Sequence, residues 1–207
     1  MSVEAIRNKT PRQVRIAVDS FSPQYARDWD GWVGADRNAR PELFGRILRK
    51  WQAARPAAMR RLRSEADHSP PFLDDLLESA AEPVQALGDL TVLTIAQRTR
   101  EQGEALKRLW RIFSRLPTSR AASCVGITKA VLLLTDGRIG PAFDSQVRSK
   151  LGVRPPTTCR EWLRILEDVG EDIAAFESSH GRLKDAVHTR FAQLAYGRIY
   201  DMALGPR

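Results

Sequence analysis

The sequence predicts an all-α fold, and three observations carry that prediction. No stretch alternates cleanly between apolar and polar residues as a half-buried strand does, whereas apolar residues recur at helical intervals along most of the chain. Two Thr-x-x-Gln/Glu capping boxes, Thr99–Gln102 and Thr158–Glu161, each precede such a run. The apolar share, 43% of 207 residues, is ordinary for a chain that folds around a core.

Taken in order, Ile6 to Ser20 predicts at most a short helix, weakened by Pro11. Tyr25 to Trp32 carries aromatics and acids and reads as a loop that packs on the domain or lines a cleft. From Pro41 to about Arg55, Leu43, Phe44, Ile47, Leu48 and Trp51 mark one face of a helix, with Pro41 suited to its first turn. Its other face carries Arg46, Arg49 and Lys50, and Arg55, Arg60, Arg61 and Arg63 follow. Ser69-Pro70-Pro71 opens a helix bearing Phe72, Leu73, Leu76 and Leu77, broken or restarted at Pro83. The first capping box starts a helix with Leu106, Leu109, Trp110, Phe113 and Leu116, stopped by Pro117. The second starts one that runs through Trp162 to Phe176. A last helix is expected from about Arg182 to Met202. With no repeat and no low-complexity linker, residues 1–207 read as a single helical domain.

Composition narrows the function classes. The formal net charge is +8 and the pI about 10.1, with most of the positive charge on arginine, which suits phosphate recognition. The two cysteines, Cys124 and Cys159, lie 35 positions apart, and no Cys/His set has zinc spacing, so neither a metal site nor a structural cofactor is expected. The longest apolar run, Ala130 to Leu134, is five residues, and no membrane span or secretory leader is read from the chain. The expectation is a cytoplasmic monomer, its basic surface either contacting nucleic acid or merely solvated.

The segment richest in chemistry runs from Ser123 to Leu151. A turn at Gly126 feeds a helix beginning near Thr128, apolar on every side from Ala130 to Leu134 and so buried. Asp136-Gly137 closes it, Gly140-Pro141 follows, and Asp144 is placed to cap a helix striped by Val147 and Leu151.

This order resembles the helix-hairpin-helix DNA glycosylase superfamily. Val125-Gly126 looks like the end of the family's hairpin, Ala130 like the small residue after it, and Phe143-Asp144-Ser-Gln-Val147-Arg148 like the segment bearing its catalytic Asp. Ser123-Cys124 stands where the family has Pro-Gly, and a gapless alignment puts Thr128 at the family's lysine position, one place before Lys129. The interval to the Asp is also a little short. The resemblance implies a two-lobed helical fold and excision of a damaged or modified base. It covers about residues 117–152 and implies a phosphate, with a monovalent cation in some members, held at the Gly126, Ile127 and Thr128 amides, and a DNA contact from Arg148. Independently of it, the basic segment with Arg46, Arg49 and Lys50 reads either as a phosphate contact or as a solvated face. Asp144 would meet the positive charge that builds on the deoxyribose, and Lys129 would attack C1′ if it faces the same cleft. If it faces away, water is the nucleophile. Plainer roles compete: Asp144 as a helix cap worth about 1 kcal/mol, Lys129 as a solvated helix residue. Two other functions stay open, a non-catalytic helix-hairpin-helix DNA binder and a basic helical protein that binds RNA or acidic partners.

Overall fold

The computed structural model describes residues 3–36, 38–53, 73–116 and 123–206. Among these residues there are nine α-helices and no strand, so the all-α class holds. The helices are α1 (Pro11–Asp19), α2 (Pro23–Gly34), α3 (Arg40–Lys50), α4 (Leu73–Ala86), α5 (Arg100–Phe113), α6 (Cys124–Leu134), α7 (Ser145–Leu151), α8 (Cys159–His180) and α9 (Tyr196–Leu204). The expected helix start at Ser69-Pro70-Pro71, together with Phe72, Arg55, Arg60, Arg61, Arg63, His68 and Pro117, lies outside the described residues.

Local chemistry explains most of the boundaries. Both predicted capping boxes form, the Thr99 and Thr158 hydroxyls accepting from the Gln102 and Glu161 amides. A third, Thr10–Gln13, opens α1 with Pro11 at its first position, where the missing N–H costs nothing. Pro11 therefore starts a helix that the sequence reading had it weaken.

Three other expectations are corrected. Residues 25–32 are helix rather than loop, because Tyr25, Trp29 and Trp32 fall at i, i+4 and i+7 and both tryptophans are buried. Helix α4 passes through Pro83 without restarting. The C-terminal segment is not one helix from 182 to 202. Gly181 takes a positive φ of 79°, Leu183 donates to Glu177 Oε1, and His188 caps a short 3-10 turn at Thr189–Phe191 before α9 begins.

The buried apolar side chains form one continuous cluster. α4 lies along α5, α1 along α9, and α6 touches both α3 and α5. Trp32, Phe44 and Phe113 join α2, α3 and α5 through ring contacts with centroids 5.9 and 6.1 Å apart. Helix α6 is enclosed, with Ala130 to Leu133 at zero exposure, as its composition requires.

A buried carboxylate ties the two ends of the chain together. Asp172 of α8, with 0% exposure, accepts from the amides of Ala5, Ile6 and Arg7, from Arg7 Nε at 3.1 Å and from Tyr200 Oη at 2.7 Å. Removing it strands several donors at once. Asp172→Ala should therefore lower stability by about 3 kcal/mol or more, read as a drop in urea midpoint; an unchanged midpoint would show that the N-terminal turn holds without it.

Candidate functional site

The site is built where three helices converge on the end of α3. Lys129 projects from α6 and is only 7% exposed. Its Nζ donates to the Trp51 carbonyl at 2.7 Å and lies 6.0 Å from the centre of the Trp51 ring. Trp51 is held in turn: its indole Nε1 donates to Asp28 Oδ2 at 3.0 Å, and Lys50 pairs with the other oxygen of Asp28.

Asp144 caps α7, its Oδ1 accepting from the Gln146 and Val147 amides at 3.0 and 2.9 Å. The cap that the sequence predicts is thus present, and the side chain remains half-buried rather than sealed. Asp144 and Lys129 line one small cavity together with Asp201, Tyr25, Trp51 and Phe21. Its volume is about 20 Å³, enough for one water.

Asp201, on α9, is 6% exposed and accepts from the Ala142 amide at 3.0 Å and from Arg198 Nη1 at 2.7 Å. Arg198 is enclosed by aromatic faces, its Cζ lying 4.8 Å from the Phe21 ring centre, 4.5 Å from Trp29 and 5.9 Å from Trp51. Such stacking suits a weakly hydrated guanidinium out of water. Close packing is needed behind it: a Cβ on Gly197 would come within 2.6 Å of the Gly137 carbonyl, so only glycine lets α9 approach the 137–140 loop.

The charges in the cavity act on one another. Burial lowers the pKa of Lys129 below the usual lysine range, and Asp144 and Asp201 partly oppose this. Burial raises that of Asp201, with Asp144 adding to the effect and Arg198 opposing it. Burial also raises Tyr25, again with help from Asp144. An amine that gives up its proton more readily than usual therefore sits among carboxylates.

The other expected site residues are placed differently. Helix α6 begins at Cys124, so Gly126 lies inside its first turn rather than in a turn before it. The Gly126 and Ile127 amides both donate to the Ser123 carbonyl, and Gly126, Ile127 and Thr128 are all buried. The glycine is needed because a Cβ there would meet the Ala53 carbonyl at 2.7 Å. A phosphate at these amides, as the resemblance implied, would have to reach groups that are buried among the described residues. Thr128 instead links α6 to the loop before Asp144, donating to the Cys124 carbonyl at 2.7 Å and accepting from the Phe143 amide at 2.9 Å. The remainder of the expected hairpin, residues 117–122, lies outside the described residues.

Arg148 is half-buried, with Nε donating to the Phe143 carbonyl at 3.0 Å. On α3, Arg46 is exposed, Arg49 half-buried and Lys50 engaged with Asp28. Among the described residues no group of His, Cys, Asp and Glu could hold a metal ion, and no helix is long and apolar enough to cross a membrane.

Sequence reasoning missed Asp201, Arg198 and Phe21, whereas Tyr25 belongs to the segment expected to pack on the domain or line a cleft. A signal was available for Arg198 and Asp201, which are charges at i, i+3 in an otherwise apolar run from Gly197 to Leu204.

No protein-family model matches the chain, and neither the curated proteins nor the solved structures contain a significant match.

The lowered Lys129 pKa has a measurable consequence. Between its folded midpoint and the ordinary value of 10.5, the unfolded chain holds a proton that the folded chain has released, so this group makes stability rise with pH across that interval. Followed by NMR at its Cε, Lys129 should titrate below 10.5, and lower still in Asp144→Asn, which removes an opposing charge. A midpoint at or above 10.5 would contradict this account of the cavity.

Proposed function

We propose that this protein binds DNA and excises a damaged or modified base by cleaving its N-glycosidic bond, with Lys129 as nucleophile and Asp144 as the carboxylate beside the sugar. One observation carries the reading: the amine and the carboxylate line the same cavity, together with Asp201 of the Arg198 ion pair. The helix-hairpin-helix glycosylase resemblance of about residues 117–152 supports it, as does the net charge of +8. The two-lobed glycosylase fold belongs to the same proposal.

The chemistry follows from the residues. Positive charge builds on the deoxyribose as the C1′–N bond breaks and the electron pair leaves with the base, which takes up a proton. Asp144 opposes that charge in a poorly hydrated setting, where a fixed carboxylate acts more strongly than in water. The lone pair of neutral Lys129 Nζ forms the new bond to C1′, and its proton passes to Asp144. Expulsion of O4′ from C1′, which leaves as a hydroxyl by taking that proton back from Asp144, then gives a protonated Schiff base on Lys129. Lowering of the lysine pKa by burial increases the share of amine able to attack.

A nucleoside does not fit in about 20 Å³. Phe21, however, also lines a second cavity of about 490 Å³, which is bounded by Trp29, Arg198 and Phe191. A swing of the Phe21 ring would join the two and give an extruded base aromatic walls to stack on.

The cavity's size also favours a second reading, a DNA-binding protein in which Lys129, Asp144 and Asp201 serve only to join helices. Duplexes carrying a panel of oxidised, alkylated and deaminated bases, treated with hot alkali after incubation, separate the two. Base loss on at least one duplex is expected, reduced on the order of 100-fold in Asp144→Asn. Asparagine still caps a helix, so that variant loses the charge without losing the cap. Binding without base loss on any duplex would leave the second reading.

A further inference from the structure

A groove of about 870 Å³ runs between Arg98, α5 and the first two turns of α8. It shares no lining residue with the Lys129 cavity. Four cations border it, Arg98, Lys107, Arg160 and Arg164, against two carboxylates.

Those carboxylates are already committed. Glu167 pairs with Arg98. Glu161 closes the α8 capping box and accepts from Thr157 N at 2.7 Å, Thr157 Oγ1 at 2.9 Å and Thr158 N at 3.3 Å. Lys107 is engaged with Glu104 at 2.7 Å. Arg160 and Arg164 are different. Both are exposed, they lie four residues apart and so share a face of α8, and neither makes a hydrogen bond or close ion pair among the described residues. Arg164 feels Asp168 one turn along without closing a bridge to it.

We infer that this groove is a second DNA-backbone surface, in which Arg160 and Arg164 hold consecutive phosphates of one strand, while Arg98 and Lys107, paired with Glu167 and Glu104, border it. Two guanidinium groups one helical turn apart, in a groove whose own acids are satisfied internally, match a regularly spaced polyanion better than a single small anion. The inference rests on the reading of the chain as a DNA-binding protein, but it does not depend on catalysis.

The test uses the full chain and an undamaged duplex. In Arg160→Ala/Arg164→Ala the slope of log affinity against log salt should become shallower by about 1.8, at about 0.9 per lost phosphate contact. Arg12→Ala/Arg182→Ala, which removes two exposed arginines outside the groove, should leave the slope unchanged. Cys159 lies in the groove with its thiol pushed up to about 11 by burial, so its alkylation is followed at pH 9 by peptide mass spectrometry. The duplex should protect it in the wild type and not in the groove variant, while inorganic tripolyphosphate at equal phosphate concentration should not protect it. An unchanged slope, an equal change in the control variant, or equal protection by tripolyphosphate would overturn the inference. Base loss with an unaltered slope would remove the groove alone; an altered slope with no base loss would remove only the enzymatic reading.

Discussion

A helix that is apolar on every side must be buried, and any charge it carries goes in with it. That constraint organises this protein. Helix α6 runs through the core from Cys124 to Leu134, and its one cation, Lys129, lies almost wholly out of water. A buried ammonium needs acceptors and opposite charge, and the structure supplies both: the Trp51 carbonyl at the end of α3, the Asp144 carboxylate at the start of α7 and Asp201 on α9. Elements distant in sequence thus meet at one amine.

The pair behind it shows how the same demand spreads outward. Asp201 would be costly in this position alone, and Arg198 meets it at 2.7 Å while stacking on Phe21 and Trp29. Arg198 has little room because Gly197 sits directly on the 137–140 loop. Buried ion pairs of this kind often add little net stability compared with apolar packing, yet breaking one partner from the other is costly. Their cost is easier to understand if the charges serve chemistry as well as packing.

Much of the fold was legible because its signals are local. The Thr99 and Thr158 capping boxes, the Asp144 cap and the enclosed α6 each depend on residues within one or two turns. Helix α2 was hidden because Arg27, Asp28, Asp30 and Gly31 dilute the i, i+4, i+7 spacing of Tyr25, Trp29 and Trp32. The break before α9 was hidden because it follows from a positive φ at Gly181 and from contacts of Glu177 and His188, not from a proline. At the site, Asp144 and Lys129 could be named from sequence, but not that they share a cavity. Asp201 joins them only because α9 packs on α7, and Gly126 proved to make room for the Ala53 carbonyl, a contact no local pattern encodes.

The proposed excision requires the buried amine of Lys129 to reach a sugar carbon. Incubating the protein with a duplex that carries an abasic site, in the presence of cyanoborohydride, and mapping the adduct by peptide mass spectrometry tests this most directly. A covalent deoxyribose remnant is expected on Lys129 and should disappear in Lys129→Met. No adduct, or one located on a surface lysine and unaffected by that substitution, would contradict it.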